Sequence, residues 1–127
     1  MKALAILFAD SAQAEEGFDS LIRIHDAITA TAFPATHQMC VFIHLLIERH
    51  EEGLPTLLHL EMLNSDGDAM TLSRGDFIAP VRKHPDTPSV WALKYDLPLG
   101  FEEAGLYLVR LTVGDECLAE RPFLVSA

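Results

Sequence analysis

Histidine and glutamate side chains recur in two neighbouring apolar segments, and these residue types can bind metal ions. His44 and Glu48 lie in the first segment, and His59 and Glu61 lie in the second. If the segments are strands that pair as a hairpin, directly opposed Cβ atoms lie about 4.5–5.5 Å apart. Two imidazoles and a carboxylate could then hold zinc and leave one coordination position open. His44, His59 and Glu61 are therefore candidate metal ligands.

A simpler interpretation is that these polar side chains face water on the outside of a sheet, or lie at the rim of an oligomer. A sequence does not set the rotamers of such side chains, and it sets the register of two strands only through their apolar pattern. The compact ligand motif HExxH is not present in this chain. We therefore predict no bound metal and no cofactor. The alternative is a metal-dependent enzyme or metal sensor that uses this histidine and glutamate cluster.

His25 and Asp26 combine residue types that occur in catalytic dyads, with Asp10 or Ser11 nearby in the sequence. Consecutive residues of a strand point to opposite faces, so His25 and Asp26 do not face each other. The chain also contains no Gly-x-Ser-x-Gly elbow for a nucleophile. We therefore predict that the protein has no catalytic site and is not an enzyme.

The segment Asp66-Gly67-Asp68, preceded by Asn64, resembles half of a calcium-binding loop. The full pattern requires a glutamate at its twelfth position, which is Gly75 when counted from Asn64. An Asp-Gly pair also tolerates the left-handed backbone of tight hairpins. The segment therefore predicts a hairpin turn.

The N-terminus resembles the start of an export signal. An apolar run from Ala3 to Ala9 follows Met1-Lys2, and Ala12-Gln13-Ala14 is similar to a cleavage site. The segment is short for such a signal, and Asp10 interrupts it directly after the apolar run. We therefore predict a first strand here and a cytoplasmic protein.

Cys40 and Cys117 are far apart in the sequence and fall in predicted strands. In a cytoplasmic chain such residues are expected to be small buried side chains. A disulfide between them would require export. Neither cysteine has the spacing of a metal motif.

Length and charge restrict the classes of function. The chain has 127 residues, with nine lysines and arginines against 19 aspartates and glutamates, and its net charge is -10. One domain, residues 1–127, is expected at this length. Nucleic-acid backbones and anionic membranes would repel such a surface, and no apolar run reaches the ~18 residues of a membrane span. We expect neither kind of partner.

Apolar and polar residues alternate between frequent turns, which is typical of strands in a half-buried sheet. We predict an all-β fold: an antiparallel two-layer β-sandwich of the immunoglobulin-like, Greek-key type. Its eight strands are expected near Lys2–Ala9, Phe18–Ala27, Met39–Arg49, Thr56–Asn64, Ala69–Phe77, Val90–Leu97, Leu106–Val113 and Cys117–Ser126.

The third and fourth predicted strands carry a second face that is too apolar for open solvent and too polar for a core. A surface of this mixture usually contacts another protein. The sequence therefore predicts a non-catalytic interaction module that forms a homodimer or docks a protein partner, unless a loop such as residues 80–88 covers the face. The candidate interface residues are Phe42, His44, Leu46, Leu57, His59 and Leu63.

Several short motifs together resemble a family of small bacterial β-sandwich proteins that is known as a domain of unknown function. The resemblance spans nearly the whole chain, although each motif is short and structural. It implies the fold and a bacterial, cytoplasmic setting, and it implies no activity and no site residues. The motifs are Ala5-Ile6-Leu7-Phe8-Ala9-Asp10, Ile24-His25-Asp26-Ala27-Ile28, Phe33-Pro34-Ala35 and the segment from Phe101 to Val125.

Overall fold

A computed structural model describes residues 1–15 and 18–127 of the protein. Nine strands and one short 3-10 turn, Arg49–Glu51, make up its regular structure. The strands are β1 (Lys2–Glu15), β2 (Phe18–Ile24), β3 (Ala27–Thr29), β4 (Ala35–Ile47), β5 (Pro55–Leu63), β6 (Ala69–Ile78), β7 (Ser89–Phe101), β8 (Gly105–Val113) and β9 (Glu116–Ser126). Across the described residues, no helix is long and apolar enough to cross a membrane.

The strands form two sheets, which confirms the all-β prediction. The four-stranded sheet has the order β2-β1-β4-β7, and the five-stranded sheet has the order β3-β9-β8-β5-β6. The described residues contain nine strands where about eight were predicted, because the segment predicted as one strand, Phe18–Ala27, divides after Ile24. Its continuation, β3, pairs with β9 in the other sheet, and this pair is parallel. The immunoglobulin-like, Greek-key type is not confirmed and stays a prediction.

The core lies between the two sheets and is built from the alternating apolar residues of their strands. Four aromatic rings join the sheets: Phe8 and Phe101 come from the four-stranded sheet, and Tyr107 and Phe123 come from the five-stranded sheet. The centroid of the Phe123 ring lies 5.2 Å from that of Phe8 and 5.8 Å from that of Phe101. This aromatic cluster therefore ties β1 and β7 to β9.

The turns follow the residue types that the sequence offers. Asn64 accepts hydrogen bonds from the backbone N–H groups of Asp66 and Asp68, at 3.0 and 2.9 Å, and Gly67 adopts the left-handed backbone with φ of 84°. The predicted hairpin turn is therefore confirmed. The Tyr107 hydroxyl donates to the Glu103 carbonyl at 2.6 Å, which anchors the corner before β8.

The hairpin of β1 and β2 crosses over the outer face of the four-stranded sheet. β1 pairs with β4 only as far as Ala9, and its remaining residues pair with β2 alone. Asp19 of β2 forms an ion pair with Lys94 of β7, although these strands are at opposite edges of the sheet. Two intervening strands would separate the edges by about 14 Å in a flat sheet, which is too far for this contact. The part of β2 around Asp19 therefore lies over the outer face of the sheet, close to Lys94 and to Phe42, the neighbour of Lys94 on that face.

Both cysteines are free, but only one of them is buried. Burial beside Asp96 raises the pKa of Cys40 to about 11, so this side chain stays a thiol near neutral pH. Cys117 is exposed, in contrast to the prediction, because it lies at the start of β9 on the outer face of the five-stranded sheet.

Candidate metal centre

The candidate metal ligands of the sequence analysis are not brought together. His44 lies on β4 in the four-stranded sheet, and His59 and Glu61 lie on β5 in the five-stranded sheet. The assumed hairpin of these strands is wrong, because β4 pairs with β1 and β7 while β5 pairs with β6 and β8. His59 is hydrogen-bonded to Thr71 at 2.9 Å, and Glu61 accepts two hydrogen bonds from Arg110, at 2.9 and 2.6 Å.

The candidate interface residues are divided between the same two sheets and form no common face. Phe42, His44 and Leu46 lie on the outer face of the four-stranded sheet, under or beside the β1–β2 hairpin. Phe42 is only 6% exposed. The other three candidates, Leu57, His59 and Leu63, lie on the outer face of the five-stranded sheet, which points in the opposite direction.

The predicted separation of His25 from Asp26 is observed. Asp26 accepts hydrogen bonds from the Arg121 guanidinium at 3.0 and 2.6 Å. His25 instead turns towards Asp10, and its Nε2 atom lies 3.1 Å from Oδ1 of Asp10. The hydrogen-bond partner of His25 is therefore Asp10 and not its sequence neighbour Asp26.

Asp10, His25 and His37 form a cluster that could hold a metal ion. One ligand atom from each of the three side chains lies within 4.8 Å of the other two, and all three residues are half-buried. The rings of His25 and His37 meet edge to face, with centroids 5.6 Å apart. The His25 ring also lies beside Phe123 of the core, with ring centroids 5.9 Å apart.

Three elements position these side chains, and each does so through its strand pattern. His37 continues the inward-facing series of β4, two residues before Met39. Asp10 lies on β1 two residues after the buried Phe8, on the same face of the strand. The backbone N–H of His25 donates to the Phe8 carbonyl at 2.9 Å, so His25 is anchored beside Asp10.

Two nitrogen atoms of this cluster have no hydrogen-bond partner in the part of the chain that the structure describes. They are Nδ1 of His25 and Nε2 of His37, and both are buried. A buried polar atom without a partner destabilises the folded state. An imidazole nitrogen with a free lone pair is also the usual histidine ligand of transition metals. A metal ion held by Asp10 and Nε2 of His25 could take its third ligand from the orphan nitrogen of His37, whereas Nδ1 of His25 lies on the other side of its ring.

Arg23 completes the entrance to the cluster. Its Nε lies 3.2 Å from Oδ2 of Asp10, and its side chain is 81% exposed. Its backbone adopts the left-handed conformation with φ of 57°, which is unusual for a residue other than glycine. A surface cavity of about 270 Å³ adjoins the three ligands and Arg23, and its other walls are Ile24, Ala27 and Ile28.

His25 and Asp10 were considered from the sequence, but His37 was missed, because the predicted strand begins at Met39. The available signal was the alternation of β4, since His37 is in phase with the inward-facing Met39 and Val41. A histidine at the end of an apolar stripe has no obvious partner in sequence. The fold provides that partner, since the His37 ring meets the His25 ring edge to face.

Comparison with known proteins identifies a family but no activity. A family model described as "Family of unknown function (DUF6941)" matches residues 4–126. No curated protein and no solved structure matches the chain.

Proposed function

We propose that this chain, which belongs to a family of unknown function, binds one divalent transition-metal ion through Asp10, His25 and His37. The observation that carries the proposal is that one ligand atom from each of these three side chains lies within 4.8 Å of the other two, and that Nε2 of His37 is buried without a hydrogen-bond partner among the described residues. This proposal replaces the metal-free expectation of the sequence analysis. The ligand set also differs from the candidate set of the sequence analysis, because His44 lies in one sheet and His59 and Glu61 lie in the other.

The donor set indicates which metals fit. Two imidazoles and one carboxylate suit zinc with an open coordination position, and they also suit non-haem iron(II). Magnesium and calcium prefer oxygen ligands and fit this cluster poorly. The proposal concerns metal binding, and the absence of enzymatic activity stays a prediction.

Protein purified without a histidine tag should take up one equivalent of Zn²⁺ or Co²⁺. His37→Ala should weaken this binding about 100-fold or more, since losing even an outer partner of a ligand costs about 10–100-fold. Isothermal titration calorimetry measures both affinities. The matched controls are His44→Ala and His59→Ala, which remove a histidine from each sheet and should leave the affinity unchanged.

Three outcomes would contradict the metal centre: no uptake by the wild type, equal affinity in His37→Ala, or loss of binding in His44→Ala. Urea unfolding of each variant shows whether a loss of affinity reflects a loss of structure. Asp10→Asn retains the shape of the side chain and removes its charge, so it tests the same cluster with little change in packing.

We further propose that the protein self-associates, as the sequence analysis predicted, but through the outer face of the five-stranded sheet. Leu106 and Leu124 are opposite each other in the register of β8 and β9 and are 56% and 47% exposed. Leu63 and Leu108 continue this face as a second opposed pair. Apolar side chains on one open sheet face can meet their own copy across a two-fold axis.

Sedimentation velocity at tens of micromolar tests this assembly. The wild type should sediment as a dimer, and Leu106→Lys should shift it towards the monomer. Leu4→Lys is the control, because Leu4 is 50% exposed on the other sheet. A monomeric wild type, or a dimer that survives Leu106→Lys, would exclude this surface.

A further inference from the structure

We propose that the metal centre takes a small oxyanion as a further ligand, a carboxylate or phosphate group held between the metal ion and Arg23. The inference rests on the proposed metal-binding function and names the class of molecule that the same site accepts. It starts from the position of Arg23 at the cavity beside the three ligands.

The backbone places Arg23 opposite Asp10. The pairs Ala9 with Ile24 and Ser11 with Ile22 flank this position on the two strands, whereas Arg23 itself adopts the left-handed conformation. Such strained residues concentrate at functional sites, where the surrounding structure maintains them. The result is a guanidinium that contacts one oxygen of Asp10 while the other oxygen contacts His25.

The guanidinium has hydrogen-bonding capacity to spare. Its Nε atom faces Asp10, and within the described residues neither of its two terminal nitrogens has a partner. A planar guanidinium with two free N–H groups matches the oxygens of a carboxylate or phosphate. Three protein ligands also leave at least one position of the metal open to an oxygen donor.

With a metal ion bound, the charge at the cluster is opposite in sign to that of the whole protein. The net charge of -10 repels anions in general. At the cluster, however, a metal dication and Arg23 outweigh the single carboxylate of Asp10. The neighbouring cavity walls, Ile24, Ala27 and Ile28, are apolar. A small anion with a short apolar part fits these surroundings, whereas a polyanion would meet the negative surface outside.

Visible absorption of the Co²⁺-loaded protein measures the inference directly, because the d–d bands respond to a change of ligand. Titration with acetate and with inorganic phosphate should change the spectrum saturably for at least one of them. Arg23→Gln should weaken that response about tenfold or more, the change expected for one charge-assisted hydrogen bond. The matched control is Arg74→Gln, an exposed arginine on the other sheet, which should respond like the wild type.

The outcomes separate this inference from the metal centre itself. If the wild type takes up no Co²⁺, both proposals fail. Uptake of Co²⁺ without a spectral response to either anion would overturn the oxyanion site alone. The same conclusion would follow if Arg23→Gln binds the anion as tightly as the wild type. It would also follow if Arg23→Gln loses affinity for Co²⁺ and keeps the anion response, because Arg23 would then only orient Asp10.

Discussion

Replacing Phe123 with alanine should lower the free energy of unfolding by about 3–5 kcal/mol, the range for losing a buried large aromatic side chain. Phe123 is 1% exposed and packs against Phe8 and Phe101 of the opposite sheet, so its loss leaves a cavity at the contact between the sheets. Its ring centroid also lies 5.9 Å from that of His25. The affinity for Co²⁺ should therefore fall together with the stability.

Urea unfolding followed by circular dichroism measures this effect, and Ile78→Ala on β6 of the same sheet is the control. Ile78 is 63% exposed, so its substitution should cost well under the value for Phe123. Equal costs for the two variants would mean that the aromatic cluster does not join the sheets as described.

Replacing Phe42 with lysine should destabilise the protein by about 3–5 kcal/mol or more, because it removes a buried aromatic ring and places a charge under the β1–β2 hairpin. Lys94 on β7 lies directly opposite position 42. The ammonium group of a lysine at position 42 would therefore repel the ammonium group of Lys94. The shift of the urea midpoint measures the loss.

Leu4→Lys is the matched control for Phe42→Lys. Leu4 is on β1 in the same four-stranded sheet, but its side chain is half exposed. It should change the free energy of unfolding little. If Phe42→Lys is as stable as this control and changes only the sedimentation of the protein, Phe42 is at an interface between copies, as the sequence analysis predicted. The β1–β2 hairpin then does not cover it.

The strands could be predicted because the apolar alternation is a local property of the sequence. In β8, every second residue from Tyr107 to Val113 faces inward, as the alternation of apolar and polar residues predicts. The turn at Asn64–Asp68 likewise depends on residue types within one short segment. The division after Ile24 was missed, because whether a strand continues in one sheet or enters another depends on its partners in space.

The sequence by itself therefore determined the strand segments, the turns, the acidic charge and the separation of His25 from Asp26, since each follows from neighbouring residues. Only the tertiary structure decided which strands pair. That pairing separates His44 from His59, places the β1–β2 hairpin over Phe42, and joins Asp10, His25 and His37 from three segments. The physical reason is that strands pair so that whole apolar faces become buried, and the paired strands are often far apart in the sequence. The spacing of residues within one segment therefore does not indicate which strand that segment pairs with.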